Sequence, residues 1–294
     1  MRNKPPNNHH LPPSSLLPPH SCLGQGGWEI GDSPAKAASE KAALLRGIEL
    51  GMTLIDTAEM YGAGRSEELI GHALKGIARG EYQLCSKVLP DNAGQKRIFK
   101  SCEDSLRRLC TDYLDLYLLH WRGSVPLDET VQCMEELVRQ GKILSWGVSN
   151  FDVDDMEELF AVPGGEQCAY NQVLYHIGSR GIEFDLLPWC KEHGVTVMAY
   201  CPLAQGGRLR RYGRNVLEEP LLLELAAKYG CTVHQILLAF VLRQKGVIAI
   251  PKSSSPAHTE QNARVAELVI SDDDWARIDA VLPPPTHKMH LDIE

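Results

Sequence analysis

The amino-acid sequence predicts an α/β fold, a (β/α)8 TIM barrel with two additional helices. Eight short apolar runs with strand character alternate with longer segments that repeat apolar residues at helical spacing. Such alternation is typical of βαβ units and a parallel sheet, and eight units are the number that closes a barrel. The chain has 294 residues, more than the roughly 250 that a barrel typically needs.

The strand-like runs end at polar or turn-forming residues. They cover residues 21–26, 53–56, 82–87, 113–120, 143–150, 168–172, 195–200 and 247–252. After the second run, "SEELIGHALKGI" repeats apolar residues at helical spacing, and Ser66 is expected to cap that helix. Two further helical segments, 220–230 and 272–282, exceed the eightfold repeat and are expected to be additions to the barrel.

Composition separates the first 20 residues from the rest of the chain. Paired prolines and polar residues in 1–20 favour an extended, disordered segment, whereas 21–294 is expected to form one barrel domain. The same prolines interrupt every apolar run near the start, so no signal peptide is expected.

Charge and cysteine usage narrow the classes of function. The formal net charge is −8 without a clustered Lys/Arg stripe, which argues against a nucleic-acid partner. No apolar stretch approaches the roughly 20 residues of a membrane helix. The nine cysteines include no CxxC pair, which favours a reducing compartment over a disulfide framework. We expect a cytoplasmic protein without membrane contact, and a monomer rather than an oligomer.

Polar residues recur where the strand-like runs end. They are Asp56, Lys87, His120, Asn150, Gln172, Tyr200 and Lys252. Taken singly, each is explained as well by a turn, a cap or a solvated side chain. In a parallel barrel, however, the carboxyl ends of all strands lie on one rim, where barrel enzymes place their chemistry. Together these residues predict an active site on that rim.

Four side chains near the strand ends form a set suited to proton transfer. A phenol ordinarily has a pKa of about 10, and a neighbouring ammonium lowers that pKa because it favours the phenolate. Lys87 is expected to act in this way on Tyr61, while Asp56 pairs with Lys87 and offsets the cost of burying it. His120 could donate a hydrogen bond to a substrate oxygen. The set indicates an acid that protonates an oxygen as negative charge develops, as carbonyl reduction requires.

Carbonyl reduction needs a hydride donor, and the usual nucleotide motifs do not occur. "GQGGWEIG" does not fit the G-x-G-x-x-G spacing, and neither a Walker motif nor an HExxH metal motif is present, so no metal is expected. The segment "AIPKSSSPAHTEQNA", residues 249–263, joins a strand end to a lysine, three serines and a proline that can open a helix. Such a helix N-terminus can bind phosphate, although a simple polar turn explains the segment equally well.

Seven segments carry a resemblance to a known family: "GMTLIDTAEMYG", "SKV", "DLYLLHW", "GKILSWGVSN", "NQVLYH", "VMAYCPLAQ" and "IPKSSSPAHTEQNA". Their order and spacing resemble those of the aldo-keto reductase superfamily from about Cys22 to the end. Within it, the sequence is most similar to bacterial enzymes that reduce methylglyoxal and other small aldehydes with NADPH. The resemblance implies that Tyr61 is the general acid and that Lys87 lowers its pKa. It also implies that Asp56 supports Lys87 and that His120 orients the carbonyl.

The resemblance further implies NADPH as the cofactor. The implied cofactor contacts are Ser149, Asn150, Gln172, Tyr200, Pro202, Leu203, Lys252, Ser253, His258 and Asn262. Among them, Tyr200 is implied to stack on the nicotinamide, and Ser149, Asn150 and Gln172 to hold its carboxamide. Lys252 and Ser253 are implied to contact the adenosine 2′-phosphate.

The implied substrate pocket is lined by Trp28 and Trp121, and the short C-terminal tail is expected to leave it open for small substrates. The sequence departs from the family pattern near the phosphate segment. His258 stands where many relatives have Arg, and Gln261 where they have Glu.

Two other functions remain compatible with the sequence. Lys87 at a strand end could form a Schiff base with a carbonyl substrate, as in lyases. Alternatively, the chain could be a nicotinamide-binding regulatory subunit with slow turnover, because some family members resemble sensors attached to other proteins. Fold alone does not separate these alternatives from a reductase.

Overall fold

Eight parallel strands follow one another around a single sheet in chain order in a computed structural model, which describes residues 22–209 and 214–294. The predicted (β/α)8 barrel is confirmed. The segment 1–20, predicted to be disordered, lies outside the described residues, as does the first residue of the predicted barrel domain.

Each barrel strand is short and is followed by at least one helix. The barrel strands are β1 (Gln25–Gly26), β2 (Leu54–Asp56), β3 (Gln83–Val88), β4 (Leu114–Leu119), β5 (Ile143–Ser149), β6 (Tyr170–Leu174), β7 (Thr196–Tyr200) and β10 (Val247–Ala249). A separate antiparallel ribbon, β8 (Arg208–Leu209) and β9 (Arg214–Asn215), lies in the connection between β7 and β10.

The helices alternate with these strands. They are α1 (Ala37–Glu49), α2 (Arg65–Ala73), α3 (Ile98–Leu109), α4 (Leu127–Arg139), α5 (Val153–Phe160), α6 (Leu186–Glu192), α7 (Ala204–Gly207), α8 (Pro220–Tyr229), α9 (Val233–Leu242), α10 (Pro256–Ala263) and α11 (Asp272–Val281). The two predicted additional helices are present as α8 and α11. Over the described residues no single helix is long and apolar enough to span a membrane, and α8 and α9 reach that length only together, across a 90° bend.

The barrel closes between its first and last strands. Gly24 N donates to Ala249 O over 2.8 Å, and Gly26 N donates to Pro251 O over 3.0 Å. A Cβ atom at Gly26 would lie 2.8 Å from the main-chain oxygen of Ile250, so only glycine allows the two segments to approach this closely. This seam also places Lys252 beside Gly26, with which it forms an isolated bridge.

Apolar residues pack on both faces of the strands. Side chains from β2, β3, β4, β6, β7 and β10 fill the inside of the barrel, and a larger apolar cluster lies between the strands and the helices. All six residues of β4 are buried. Burial on both faces is what near-continuous apolar runs such as "LDLYLL" predict for a parallel sheet.

Several local predictions differ from the structure. Strand β6 runs from Tyr170 to Leu174, two residues later than predicted, and β10 ends at Ala249 rather than 252. Ser66 is not the cap of α2: the N-cap is Gly64, with φ of +93°, and Ser66 Oγ instead donates to Gly27 O over 2.9 Å. Ser66 therefore fastens α2 to the loop after β1.

Candidate active site

Four polar side chains meet at the carboxyl rim of the barrel. Asp56 is the last residue of β2, Lys87 lies near the end of β3, and His120 follows β4. Tyr61 begins a 3-10 turn between β2 and α2. All four are buried, and Lys87 is completely inaccessible to solvent. The structure thus brings together the four residues that the sequence predicted to be catalytic.

Lys87 is the centre of this group. Its Nζ donates to Asp56 Oδ2 over 2.8 Å, to Thr57 O over 2.9 Å and to Tyr61 Oη over 3.0 Å. An ammonium has three N–H donors, so these contacts use all of them. The ammonium is therefore held in one position against the phenol oxygen.

The turn after β2 directs Tyr61 into the barrel mouth. Gly62, Ala63 and Gly64 all have positive φ, of +58°, +54° and +93°, which reverses the chain directly after Tyr61. Glu59 fastens this loop to the one after β3, because its Oε1 accepts from Leu89 N over 2.7 Å. The loop after β2, which carries Tyr61, and the loop after β3, which follows Lys87, therefore support each other.

Burial decides the pKa of the phenol. Desolvation raises the pKa of Tyr61 to about 12, and the nearby Lys87 charge lowers it only in part, while Asp56 raises it further. The expected lowering by Lys87 is thus present but is outweighed. Burial also lowers the pKa of Lys87, but Asp56 and Tyr61 raise it more, and the net shift is upward. At neutral pH the phenol is protonated and the amine is charged.

His120 is held neutral beside the phenol. Burial, followed by the charge of Lys87, lowers the His120 pKa to about 3. Its ring lies edge-on to Tyr61 with centroids 5.7 Å apart, and among the residues that the structure describes its buried Nδ1 has no hydrogen-bond partner. A neutral imidazole has one donor and one acceptor nitrogen, so it can orient a carbonyl without carrying charge.

Aromatic side chains form the walls above these groups. Trp28 contacts Tyr61 edge-on with centroids 4.9 Å apart, and Trp121 lies 4.8 Å from His120. Trp28 is 52% exposed and Trp121 is 37% exposed. The phenol and the imidazole therefore lie at the base of an aromatic cleft that opens to solvent.

The residues expected to hold a nicotinamide lie on or directly after three neighbouring strands, β5, β6 and β7. Tyr200 Oη donates to Asn150 Oδ1 over 3.0 Å, and Ser149 Oγ donates to Gln172 O over 2.8 Å. Gln172 in turn donates from Nε2 to Asp56 Oδ1 over 2.8 Å. The expected cofactor residues are thus in direct contact with the expected catalytic residues.

The predicted phosphate segment has the expected form. Pro256 opens α10, and the side chain of the N-cap Ser255 makes no capping bond within the described chain. Lys252 and Ser253 precede the helix and are partly exposed, so a cation, hydroxyls and amide N–H groups lie side by side. This donor set suits a phosphate of a nucleotide cofactor.

The remaining expected cofactor residues differ in accessibility. His258 is exposed on α10, whereas Asn262 on the same helix is buried. Pro202 is buried and Leu203 half-buried in the loop after β7. In that loop Cys201 has φ of +50°, a conformation that non-glycine residues seldom adopt.

A sequence model of the Aldo/keto reductase family matches residues 22–283. The chain belongs to the aldo/keto reductase family. Methylglyoxal reductase YeaE of Escherichia coli (strain K12) is 53% identical over 272 residues, 92% of this chain and 94% of that protein. The NADH-specific methylglyoxal reductase of the same strain is 30% identical over 303 residues, 86% of this chain and 92% of that protein.

A solved structure of an aldo-keto reductase from Klebsiella pneumoniae, in complex with NADPH, is also similar. It is 51% identical, has a TM-score of 0.91 and is matched over 95% of both chains. The likeness therefore extends over nearly the whole chain of this aldo/keto reductase.

The C-terminal tail of this aldo/keto reductase reaches the site, which the sequence did not indicate. Glu294 N donates to Tyr200 Oη over 3.2 Å, and Ser179 Oγ donates to Asp292 Oδ2 over 2.6 Å. The last residues of the tail lie against Tyr200, while Trp28 and Trp121 in the walls of the cleft stay partly exposed. No sequence signal predicts the contact between the tail and Tyr200, because the tail has neither helical nor strand periodicity.

Proposed function

We propose that this aldo/keto reductase reduces small aldehydes and ketones such as methylglyoxal to alcohols, with NADPH as reductant and Tyr61 as the acid. The observation that carries the proposal is the buried contact of 3.0 Å between Lys87 Nζ and Tyr61 Oη, with Asp56 bound to the same ammonium. The similar methylglyoxal reductase and the similar NADPH complex support the choice of substrate and cofactor.

The acid acts on the oxygen of the substrate. NADPH, when bound, supplies the hydride that reduces the carbonyl carbon. As charge builds on the carbonyl oxygen, Tyr61 donates its proton there, and the fixed ammonium of Lys87 stabilises the negative charge left on the phenol oxygen. A pKa of about 12 keeps Tyr61 protonated at neutral pH, so the acid is ready before each turnover.

The neutral histidine and the aromatic walls position the substrate. His120 has a pKa of about 3 and so carries no charge that would compete with Lys87 at neutral pH. It would donate a hydrogen bond to the carbonyl oxygen beside Tyr61. Trp28 and Trp121 would then exclude water from the reacting carbon, which suits a small, weakly polar substrate.

The expected nicotinamide and phosphate residues fit the cofactor. Ser149, Asn150 and Gln172 would hold the carboxamide, and Tyr200 would stack on the ring. Lys252 and Ser253, followed by the start of α10, would hold the 2′-phosphate. The cation at this turn is the reason to prefer NADPH over NADH, because NADH lacks that phosphate.

Lys87 is poorly suited to the Schiff-base alternative. A nucleophilic lysine needs a neutral amine, but the pKa of Lys87 is raised and its three donors are engaged. It is also completely buried, so a substrate carbon has no route to Nζ. The regulatory-subunit alternative predicts slow turnover, which the following assay measures.

We predict that Tyr61→Phe abolishes methylglyoxal reduction and leaves NADPH affinity nearly unchanged, because the phenol acts only on the developing alkoxide. The loss of NADPH absorbance is followed under single-turnover conditions, and NADPH binding is measured by fluorescence. Tyr113→Phe, which removes a phenol just before β4 at the opposite end of the barrel, is the matched control and should keep full activity. Retention of more than a few per cent of the rate by Tyr61→Phe would show that another group is the acid.

Repeating the activity and binding measurements with NADH tests the preference for NADPH. The wild-type protein should bind NADPH more tightly. Equal affinity for the two cofactors would contradict a phosphate contact at Lys252, and wild-type turnover too slow to measure would favour the regulatory subunit.

A further inference from the structure

Gln172 joins the expected nicotinamide residues to the acid group. Its Nε2 donates to Asp56 Oδ1 over 2.8 Å, while Lys87 Nζ donates to the other oxygen of the same carboxylate, also over 2.8 Å. Gln172 lies on β6 and Asp56 on β2, so this bond crosses the mouth of the barrel. Both residues are 2% exposed, and solvent therefore has little access to either end of the bond.

The chemistry of Asp56 fixes the orientation of the Gln172 amide. An ionised carboxylate only accepts hydrogen bonds, so the amide nitrogen must face Asp56 and the amide oxygen must face away. No hydrogen bond from residues 22–209 or 214–294 reaches that oxygen. The Gln172 main-chain oxygen accepts from Ser149 Oγ over 2.8 Å and from Asn150 N over 2.9 Å. The other two expected carboxamide residues thus hold Gln172 in place.

We propose that Gln172 is a positioning residue that links cofactor binding to the acid group, a role that rests on the reductase function proposed above. Its side-chain oxygen accepts a hydrogen bond from the nicotinamide carboxamide, and its nitrogen donates to Asp56. Consecutive hydrogen bonds polarise one another, so a partner at the oxygen strengthens the bond made by the nitrogen. Binding of the cofactor therefore tightens the contact between Gln172 and Asp56.

The strength of this contact affects Tyr61. Burial is the main cause of the raised Tyr61 pKa, and the Asp56 charge adds to it. The N–H group of Gln172 draws part of that negative charge away from the phenol. Without this donor, more charge would remain beside Tyr61, the phenol would be a weaker acid, and proton donation to the substrate would slow.

Gln172→Met tests the link, because methionine has a similar length and no amide. We expect its single-turnover rate of methylglyoxal reduction to fall about tenfold, as loss of one charge-assisted hydrogen bond implies. The pH midpoint of the reverse reaction, alcohol oxidation with NADP⁺, should move upward because that direction requires the phenolate. Lys252→Met is the matched control: it removes an expected contact to the cofactor phosphate, and within the described residues Lys252 makes no hydrogen bond to Gln172 or Asp56. It should weaken NADPH binding, measured by fluorescence, and leave the pH midpoint unchanged.

A double-mutant cycle separates the link from a general loss of binding. In an Asp56→Asn background the carboxylate is absent, so Gln172→Met should lower the rate by less than about twofold. Equal effects of Gln172→Met in both backgrounds, or an unshifted pH midpoint, would overturn the proposal. If Gln172→Met does not fold, Gln172→Asn replaces it, because asparagine is too short to reach Asp56 and carries the same expectations.

The two proposals fail in different ways. If the wild-type protein reduces methylglyoxal and Tyr61→Phe does not, the reductase function stands whatever Gln172 does. If Gln172→Met then behaves like Lys252→Met, the residue is a cofactor contact alone and only the link is wrong.

Discussion

Tyr61 keeps its proton at neutral pH although the ammonium of Lys87 lies beside it, because desolvation raises the pKa of the phenol to about 12. Both residues were expected at the rim because the carboxyl ends of parallel strands converge there, and the structure places them 3.0 Å apart. The direction of the Lys87 effect on the Tyr61 pKa was also expected. The net shift was not, because desolvation depends on how completely the surrounding loops and Trp28 cover the phenol, which one sequence does not reveal.

Contacts between distant residues were the least predictable part of the site. Gln172 and Asp56 are 116 positions apart, and each was expected at the rim without being expected to touch the other. The contact of Glu294 with Tyr200 was not expected at all. The partner depends on how strands β2 and β6 face each other across the barrel in the first case and on how the C-terminal tail packs in the second, and hydrophobic periodicity predicts neither.

The buried His176 predicts acid sensitivity of the fold. Burial lowers its pKa to about 4, with Asp292 opposing the shift. Its Nδ1 accepts from Gly178 N over 3.1 Å. An unfolded histidine has a pKa of about 6.5, so between pH 6.5 and 4 the unfolded chain binds the extra proton and stability is lost as pH falls. By pH 5 this loss amounts to about 2 kcal/mol.

We therefore predict that His176→Gln reduces the loss of unfolding free energy between pH 7 and pH 5 by about 2 kcal/mol. Glutamine can still accept a hydrogen bond and has no proton to gain. Urea unfolding of both proteins at the two pH values measures the difference. His120 remains in both proteins, so its own acid sensitivity cancels, and an equal loss in the two proteins would contradict the prediction.

Strands were easier to predict than helix ends. Each barrel strand overlaps its predicted run. A strand that is buried on both faces needs a short, nearly continuous apolar segment, which is easy to recognise in a sequence. The start of α2 was misplaced because Ser66 has the right side chain for a cap, but the chain enters the helix through Gly64, where φ is +93°. Caps are set by backbone conformation at the entry turn, which the sequence shows only weakly.

The end of α3 provides a test of such a conformation. Cys110 is the C-cap of α3 and has φ of +55° and ψ of +41°. At the equivalent position of α8 the C-cap is Gly230, with φ of +62°. A left-handed conformation costs a non-glycine residue about 1–2 kcal/mol. Glycine avoids this cost, but it loses more conformational entropy on folding, which cancels part of the gain. We predict that Cys110→Gly raises the unfolding free energy by about 0.5–1 kcal/mol, measured by urea unfolding with reductant present.

Two control variants isolate the backbone effect. Cys110→Ala removes the exposed thiol but keeps the Cβ, and should leave stability unchanged. Gly230→Ala introduces a Cβ with no atom within 4 Å, so its expected loss reflects backbone strain alone. A stabilisation of Cys110→Ala equal to that of Cys110→Gly would trace the effect to the thiol instead.

At the scale of the whole molecule, alternation of strands and helices predicted the barrel, but not how it closes. Strand β1 has only two residues, and the seam depends on main-chain hydrogen bonds from Gly24 to Ala249, the last residue of β10, and from Gly26 to Pro251 just after it. Close approach of the two backbones explains the glycines at this point. The seam begins where Ala249 N donates to Cys22 O over 2.9 Å.

All eight barrel strands, the seam and the proposed site are formed by residues from Cys22 onward, which leads to a prediction for the Pro-rich segment. Deleting residues 2–20 should leave the melting temperature and the rate of methylglyoxal reduction unchanged, as expected for a segment without an apolar pattern. Gly26→Ala serves as the positive control, because its Cβ would lie 2.8 Å from Ile250 O and should lower the melting temperature. A drop of more than about 4 °C in the deletion variant would correspond to at least about 1 kcal/mol and would show that residues 2–20 stabilise the barrel.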